Sequence, residues 1–129
     1  MELHVGMSGT TIRKVDEAST AASFGSGGVR VFATPVMIGL MEGAACSAVH
    51  PFMEEGKTTV GTAINIKHLA STPVGMNVSA TAELIEIDGR RLVFKVEAFD
   101  DKDKIGEGTQ ERFIIDADKF VKKTEAKLI

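Results

Sequence analysis

Charge is unevenly placed in this sequence, and one acid sits where it could do chemistry. Between Ala18 and Met53 only Arg30 and Glu42 carry charge. Read as a helix, the segment puts Ile38, Ala45 and Val49 beside Glu42 on its own face. Burying a carboxylate there is costly unless it is paired, hydrogen-bonded or protonated. Burial also moves a carboxyl group toward the range where it exchanges protons near neutral pH. Two readings follow: a catalytic acid, or a structural Glu held by backbone amides or bridged to Arg30 or Arg112.

His68 shares strand parity with Ile64 and Ile66, hence an apolar side, where a histidine is more often a satisfied core residue than a catalyst. His4 and His50 are weaker candidates. Three scattered histidines without matching carboxylate or Cys spacing make no metal site, and the lone Cys46 can form neither an intrachain disulfide nor a zinc motif. Thr34, ahead of Pro35, reads as a helix N-cap and is the only hydroxyl at that helix mouth. Regular helix sets Thr34 about 12 Å from Glu42. The two therefore meet only if the entry loop folds back or a second subunit supplies one of them. Arg112, alternating with Gln110 and Ile114, is either a surface ion-pair partner of Glu107 or Glu111, or an anion anchor and partner for Glu42.

Two stretches imitate binding loops. Residues 101–112 begin like a calcium loop but place Ile105 at position 5 and Arg112 where a bidentate Glu is needed, so they read as a turn. Gly25-Ser26-Gly27-Gly28 lacks the Lys-Thr or Gly-x-x-Gly continuation of a phosphate loop and reads as a flexible approach to the helix.

The elements that must position these groups are legible. Met37, Leu40, Met41, Ala44 and Ala48 recur at helical spacing between Thr34-Pro35 and Pro51. Ile38, Ala45 and Val49 make the other side apolar too, which predicts a helix covered all round. After residue 57 the period becomes two: Thr62, Ile64, Ile66 and His68; then Val74 through Leu84; then Leu92, Phe94, Val96 and Ala98; then a strand over about 105–115. Asp88-Gly89 predicts a hairpin between the second and third of these. The pattern reads as a four-stranded antiparallel meander, with residues 9–16 as a further strand and a short amphipathic helix through Phe120, Val121, Thr124 and Leu128. One apolar helix ahead of a long meander predicts an α+β fold, the helix wrapped by the sheet. A sheet of this size struggles to cover both sides of such a helix, which predicts a homodimer.

A chain of 129 residues predicts one domain over its whole length. With 15 basic against 18 acidic residues, a net charge of −3, and no Trp or Tyr, nothing points to nucleic acid. Residues 31–49 are too rich in Gly and Ala, and interrupted by Glu42, to predict a membrane span. The amino terminus shows no basic region followed by an apolar one, so a cytoplasmic location is expected.

The segments FATPVMIGLMEGAA, GTAINIKHLASTPVG, AELIEIDGRRLVFKVEA and IGEGTQERFII, in this order and spacing, resemble the hot-dog fold thioesterases, and within them the fluoroacetyl-coenzyme A thioesterase-like group. The resemblance runs from about residue 31 to 120. It implies a hot-dog fold, an antiparallel sheet of about five strands around a central helix. It also implies hydrolysis of an acyl-coenzyme A thioester to a carboxylic acid and free coenzyme A at a dimer interface, without cofactor or metal. Thr34, Glu42 and His68 correspond by position to the group's catalytic residues, and Arg112 to its strand arginine, which would steer substrate or tune Glu42. A backbone amide near Gly61 would stabilise the oxyanion. The Gly-rich entry ASFGSGGVR does not align with the group's lid region, so fluoroacetyl specificity does not carry over. Rival readings are a non-catalytic acyl-coenzyme A binding protein, a hydratase, disfavoured by the absence of a D-x-x-x-x-H stretch, and a structural dimer with a Glu42–Arg112 pair.

Overall fold

The computed structural model describes residues 2–129. The period-two stretches form β2 (Lys57–His68), β3 (Asn77–Asp88), β4 (Arg91–Phe99) and β5 (Lys104–Asp116), and the earlier segment forms β1 (Ser8–Lys14). All pairings are antiparallel, in one five-stranded sheet of order β1-β3-β4-β5-β2. The α+β, sheet-on-helix expectation holds. The meander does not hold as stated: β3, β4 and β5 form it, while β2 pairs with the far side of β5 rather than with β3.

The cause is the connection over residues 69–76, which is a strap and not a turn. Leu69 N–H donates to Ile105 O at 2.7 Å, Thr72 O accepts from Phe32 N–H at 2.9 Å, and the buried Thr72 hydroxyl donates to Asp100 at 2.8 Å. These bonds carry the chain across the end of the sheet. Alternation reports which face a residue takes and says nothing about which strand lies beside it. The Asp88-Gly89 hairpin forms as expected. Asp88 pairs with Arg91 across a two-residue loop, and Gly89 takes φ +60°, which its first central position in a type II′ turn requires.

The apolar segment is α2 (Thr34–Val49), followed by a short 3-10 turn, His50–Phe52, that contains Pro51. Met37, Met41, Ala44, Ala45, Ala48 and Val49 are buried against inward residues of the sheet such as Val78, Leu84, Leu92, Phe94 and Val96. Each large side chain so buried contributes roughly 1.5–3 kcal/mol. Thr11 on β1 donates to Leu40 O at 2.7 Å and ties the helix to the strand across from it. The expectation of a helix covered all round is corrected for the single chain: Thr34, Pro35, Gly39 and Ser47 lie exposed.

Two smaller elements frame the helix. Asp16 and Thr20 cap a turn and then α1 (Ala21–Phe24), ahead of the Gly-rich segment. That segment is pinned at its base rather than loose, since Ala21 N–H donates to Val31 O at 2.8 Å and Ala22 N–H to Val29 O at 3.0 Å. At the other end, Asp116 caps α3 (Ala117–Glu125), whose Phe120 and Val121 are exposed. Among the described residues no helix is long and apolar enough to cross a membrane.

Candidate active site

The helix begins one residue earlier than its sequence suggests. Ala33 is the N-cap, without a side-chain cap, and Thr34 is already helical. The expected capping role of Thr34 is therefore corrected, and its hydroxyl is free for other work. It lies 2.7 Å from His68 Nδ1, joining the mouth of α2 to the last residue of β2. The expectation of His68 as a satisfied core residue is also corrected: Nε2 is buried and has no hydrogen-bond partner. Burial holds the imidazole below its ordinary value, with the Ala70 backbone pulling the other way. A neutral ring results at pH 7. Its one ring proton lies on Nδ1 or Nε2, so the ring presents one donor and one acceptor. An open cleft of about 400 Å³, walled by Val29, Phe32, Leu69 and the main chain of the Gly-rich segment, contains both Thr34 and His68.

Glu42 sits elsewhere. Its carboxylate accepts from Arg112 Nη1 at 3.1 Å, and the Glu42 side chain is 40% exposed. Full burial of the acid is thus corrected for the single chain. Arg30, the other partner considered for it, bridges Glu17 on the surface. The surface reading of Arg112 is overturned as well: Arg112 is buried, while Glu107 pairs with Lys104 and Glu111 with Arg91.

Arg112 is held by more than Glu42. Its Nε donates to the Thr59 hydroxyl at 2.9 Å, Nη2 to Thr59 O at 3.1 Å, and Nη1 also reaches Gln110 Oε1 at 3.4 Å. The buried Gln110 in turn donates to Met41 O at 2.9 Å, one residue before Glu42. A guanidinium fork filled in this way has a fixed orientation, and so does the carboxylate bound to it. Sequence reasoning missed Thr59 and Gln110. Thr59 lies on the opposite parity from Ile64, Ile66 and His68, and only the bulge at Thr62 turns it inward, so alternation gave no signal for it.

Gly61 completes this group. Opposite Arg112 in the β2–β5 ladder, it lies so close to the helix that a Cβ there would stand 2.7 Å from Glu42 Oε2 and 3.4 Å from Arg112 Nη1. The ladder skips between Gly61 and Ala63, leaving Thr62 as the extra residue of a β-bulge. Such a residue is unpaired in the ladder.

The structure therefore gathers the five expected residues into two groups. Thr34 and His68 form one, at the mouth of α2 and the end of β2. Glu42, Arg112 and Gly61 form the other, midway along α2. Eight residues of helix put the groups about 12 Å apart on α2, and seven residues of strand put Gly61 about 23 Å from His68 along β2. No hydrogen bond joins the two groups among the described residues.

Residues 15–118 match the family model of the fluoroacetyl-CoA-specific thioesterases. A fluoroacetyl-CoA thioesterase of Streptantibioticus cattleyicolor is 48% identical over 97 residues, covering 75% of this chain and 70% of that one. The solved structure of the fluoroacetyl-CoA thioesterase FlK superposes with a TM-score of 0.91 at 39% identity, over 98% of each chain. A thioesterase superfamily member from Thermus thermophilus superposes with a TM-score of 0.88 at 31% identity, covering 98% of this chain and 93% of that one.

Proposed function

We propose that this chain, which belongs to the fluoroacetyl-CoA-specific thioesterase family and is a thioester hydrolase, cleaves acyl-coenzyme A thioesters at a site shared between two copies of itself. In this reading Thr34, Glu42 and His68 are the catalytic residues, and Arg112 and Gly61 position Glu42 and the substrate. The observation that carries it is the pairing of Thr34 with His68 at 2.7 Å, with the second ring nitrogen of His68 buried and unpartnered. A buried polar atom left without a partner costs about 1–3 kcal/mol. Unpaired buried polar atoms of this kind are rare in ordinary cores and are a mark of reactive sites.

The separation of the two groups supports a dimeric site. Residues 61–65 of β2 are all exposed, and β2 is the terminal strand of the sheet. An exposed strand edge of this kind is a template for pairing. Antiparallel pairing of β2 with its copy, about a two-fold axis between Ile64 and Asn65, sets Gly61 opposite the partner subunit's His68. The Glu42 group of one chain then faces the Thr34–His68 group of the other.

The chemistry follows from the side chains. The Glu42 carboxylate, aimed by Arg112, either attacks the thioester carbonyl or removes a proton from a water that does. By the first route a C–O bond to Glu42 forms as the C–S bond breaks, and water then cleaves the mixed anhydride. Both routes yield the carboxylic acid and free coenzyme A, and label found in Glu42 after a single turnover in ¹⁸O-labelled water marks the anhydride route with water attacking the Glu42 carboxyl carbon. His68, neutral at pH 7, moves the proton that the departing thiolate collects. The Thr34 hydroxyl orients the ring, and a backbone amide near Gly61, where the ladder skips, receives the developing oxyanion.

Thiol release from a panel of acyl-coenzyme A esters, headed by fluoroacetyl- and acetyl-coenzyme A, tests the assignment. Release that vanishes in Glu42→Ala supports it. Tight binding of an ester with no release at high enzyme concentration replaces it with a non-catalytic acyl-coenzyme A binding role.

A further inference from the structure

The cleft that contains Thr34 and His68 is several times larger than a two-carbon acyl group needs. Its volume of about 400 Å³ falls in the range of roughly 300–1,000 Å³ that houses drug-sized ligands. Much of its lining is hydrocarbon. Phe32 is buried, while Val29 and Leu69 stand 61% and 48% exposed in the same cleft as the Thr34–His68 pair. Apolar surface left in water there is covered favourably by an apolar ligand. Among the described residues no Lys, Arg, Asp or Glu lines the cleft, so an acyl chain ending in a carboxylate finds no counter-charge in it. One wall is main chain, and its glycines differ in what they are for. Gly25, at φ +95°, takes a left-handed conformation that favours glycine. Gly27, which lines the cleft, has no such demand: its φ lies outside that region, and within 4 Å a Cβ built there meets only Ala21 Cβ, at 3.4 Å, an ordinary contact. The fold has room for a side chain at Gly27, and what its absence supplies is width. That width is already formed, since the Ala21 and Ala22 amides hold the Val31 and Val29 carbonyls and Arg30 is bridged to Glu17.

We infer that this chain prefers uncharged hydrocarbon acyl groups well beyond two carbons, and that Gly27 is the residue that makes room for them. The inference rests on the acyl-coenzyme A reading above and adds the substrate class to it. Its selectivity follows from the apolar lining. Each methylene carried from water into such a lining favours the longer ester by about four-fold when fully buried. Four methylenes separate hexanoyl from acetyl, so burial of only half of that length in an open cleft gives a preference of more than about ten-fold. A side chain at Gly27 occupies the space that this length needs. A carboxylate at the chain end reverses the gain, because its hydration is lost without a partner in return.

Two measurements on the full-length protein test this. The first compares kcat/KM for acetyl-, butanoyl-, hexanoyl- and succinyl-coenzyme A, with wild type and with Gly27→Leu, whose folding is checked by circular dichroism. The second titrates the non-hydrolysable thioethers S-ethyl- and S-hexyl-coenzyme A calorimetrically into wild type. Hexanoyl is expected to exceed acetyl by more than about ten-fold, succinyl to fall at least about ten-fold below butanoyl, and the hexyl thioether to bind about ten-fold or more tighter than the ethyl one. In Gly27→Leu the ratio of hexanoyl to acetyl kcat/KM is expected to drop about ten-fold. A wild-type series that is flat or falls with length, or equal affinity for the two thioethers, overturns the proposal, as it would if the pantetheine arm and not the acyl chain filled the cleft. An equal loss on both esters in folded Gly27→Leu overturns the role of Gly27. Should wild type hydrolyse no ester, the catalytic reading fails, while the thioether titration still decides the acyl preference.

Discussion

Glu42 and Arg112 form an ion pair, Nη1 to Oε2 at 3.1 Å, whose two ends have different surroundings: the arginine side chain is 7% exposed and the glutamate 40%. The asymmetry decides what each residue does for the fold. Without Glu42 the guanidinium keeps Thr59 and Gln110. Without Arg112 a buried space opens, and Thr59 O and Gln110 lose their partner. Glu42→Gln keeps an acceptor for Nη1 but leaves the buried guanidinium without a counter-charge, and is expected to cost about 1–3 kcal/mol while lowering thiol release about 10²-fold or more. Arg112→Ala is expected to destabilise by about 3 kcal/mol. Urea melts beside thiol-release assays check both, and a Glu42→Gln protein less stable than Arg112→Ala would reverse this division of roles.

The hydroxyl of Thr34, and not its methyl, meets His68. Thr34→Ser keeps that oxygen and is expected to keep most of the activity. Thr34→Ala is expected to lower kcat by about 10-fold to 10²-fold, with little change in melting temperature because the residue is exposed and caps nothing. Equal activity of the two variants would remove the Thr34–His68 contact from the mechanism.

Burial depresses the pKa of His68, so the neutral ring is the form present at and above neutral pH. Activity that needs this form is expected to be flat through pH 7 and to fall on an acid limb below the ordinary imidazole value of about 6.5. Stability has the same sign. As pH drops below about 6.5 the unfolded chain takes up the proton first, so the His68 contribution declines from there down through the folded pKa. A wild-type pH-rate profile shows the activity limb, and His68→Gln should flatten the stability limb, which chemical melts at several pH values will show.

At Gly61 a side chain has no room. Gly61→Ala places a methyl group 2.7 Å from Glu42 Oε2, an approach relieved only if the carboxylate turns aside. Because the Glu42 side chain is 40% exposed and can give way toward solvent by breaking its bond to Arg112, the fold is expected to survive while kcat falls about 10²-fold. Wild-type turnover by a folded Gly61→Ala protein would show that the contact has no bearing on the reaction.

A shared site makes a prediction that a self-contained one does not. Glu42→Ala and His68→Ala proteins, each inactive alone, are expected to regain up to about half the activity per heterodimer when unfolded together and refolded as a mixture. One of the two interfacial sites is then intact. Size-exclusion with light scattering gives the oligomeric state of each sample, and a mixture no more active than its parts would place the whole site within one chain.

Several features were legible because they depend on neighbours in the chain. Helical spacing through Met37, Met41, Ala44 and Ala48 marked α2, period-two runs marked the strands, and Asp88-Gly89 marked the hairpin. Thr34, Glu42, His68 and Arg112 stood out as polar groups in or beside apolar stretches. Motif order then suggested that they belong to one site. Thr59 and Gln110 were overlooked because nothing local distinguishes a polar residue that supports a buried guanidinium from one that faces water.

The sequence by itself determined the elements, their buried faces and the identity of the residues able to do chemistry, since periodicity and residue type are properties of the chain. Only the tertiary structure decided that β2 lies beside β5, that Thr34 binds His68 instead of capping its helix, and that Arg112 is buried under Glu42. Those outcomes hinge on long-range hydrogen bonds, the Thr72 strap above all, formed between residues far apart in sequence. Alternation and spacing carry no information about such partners, because a strand presents the same face whichever neighbour it pairs with.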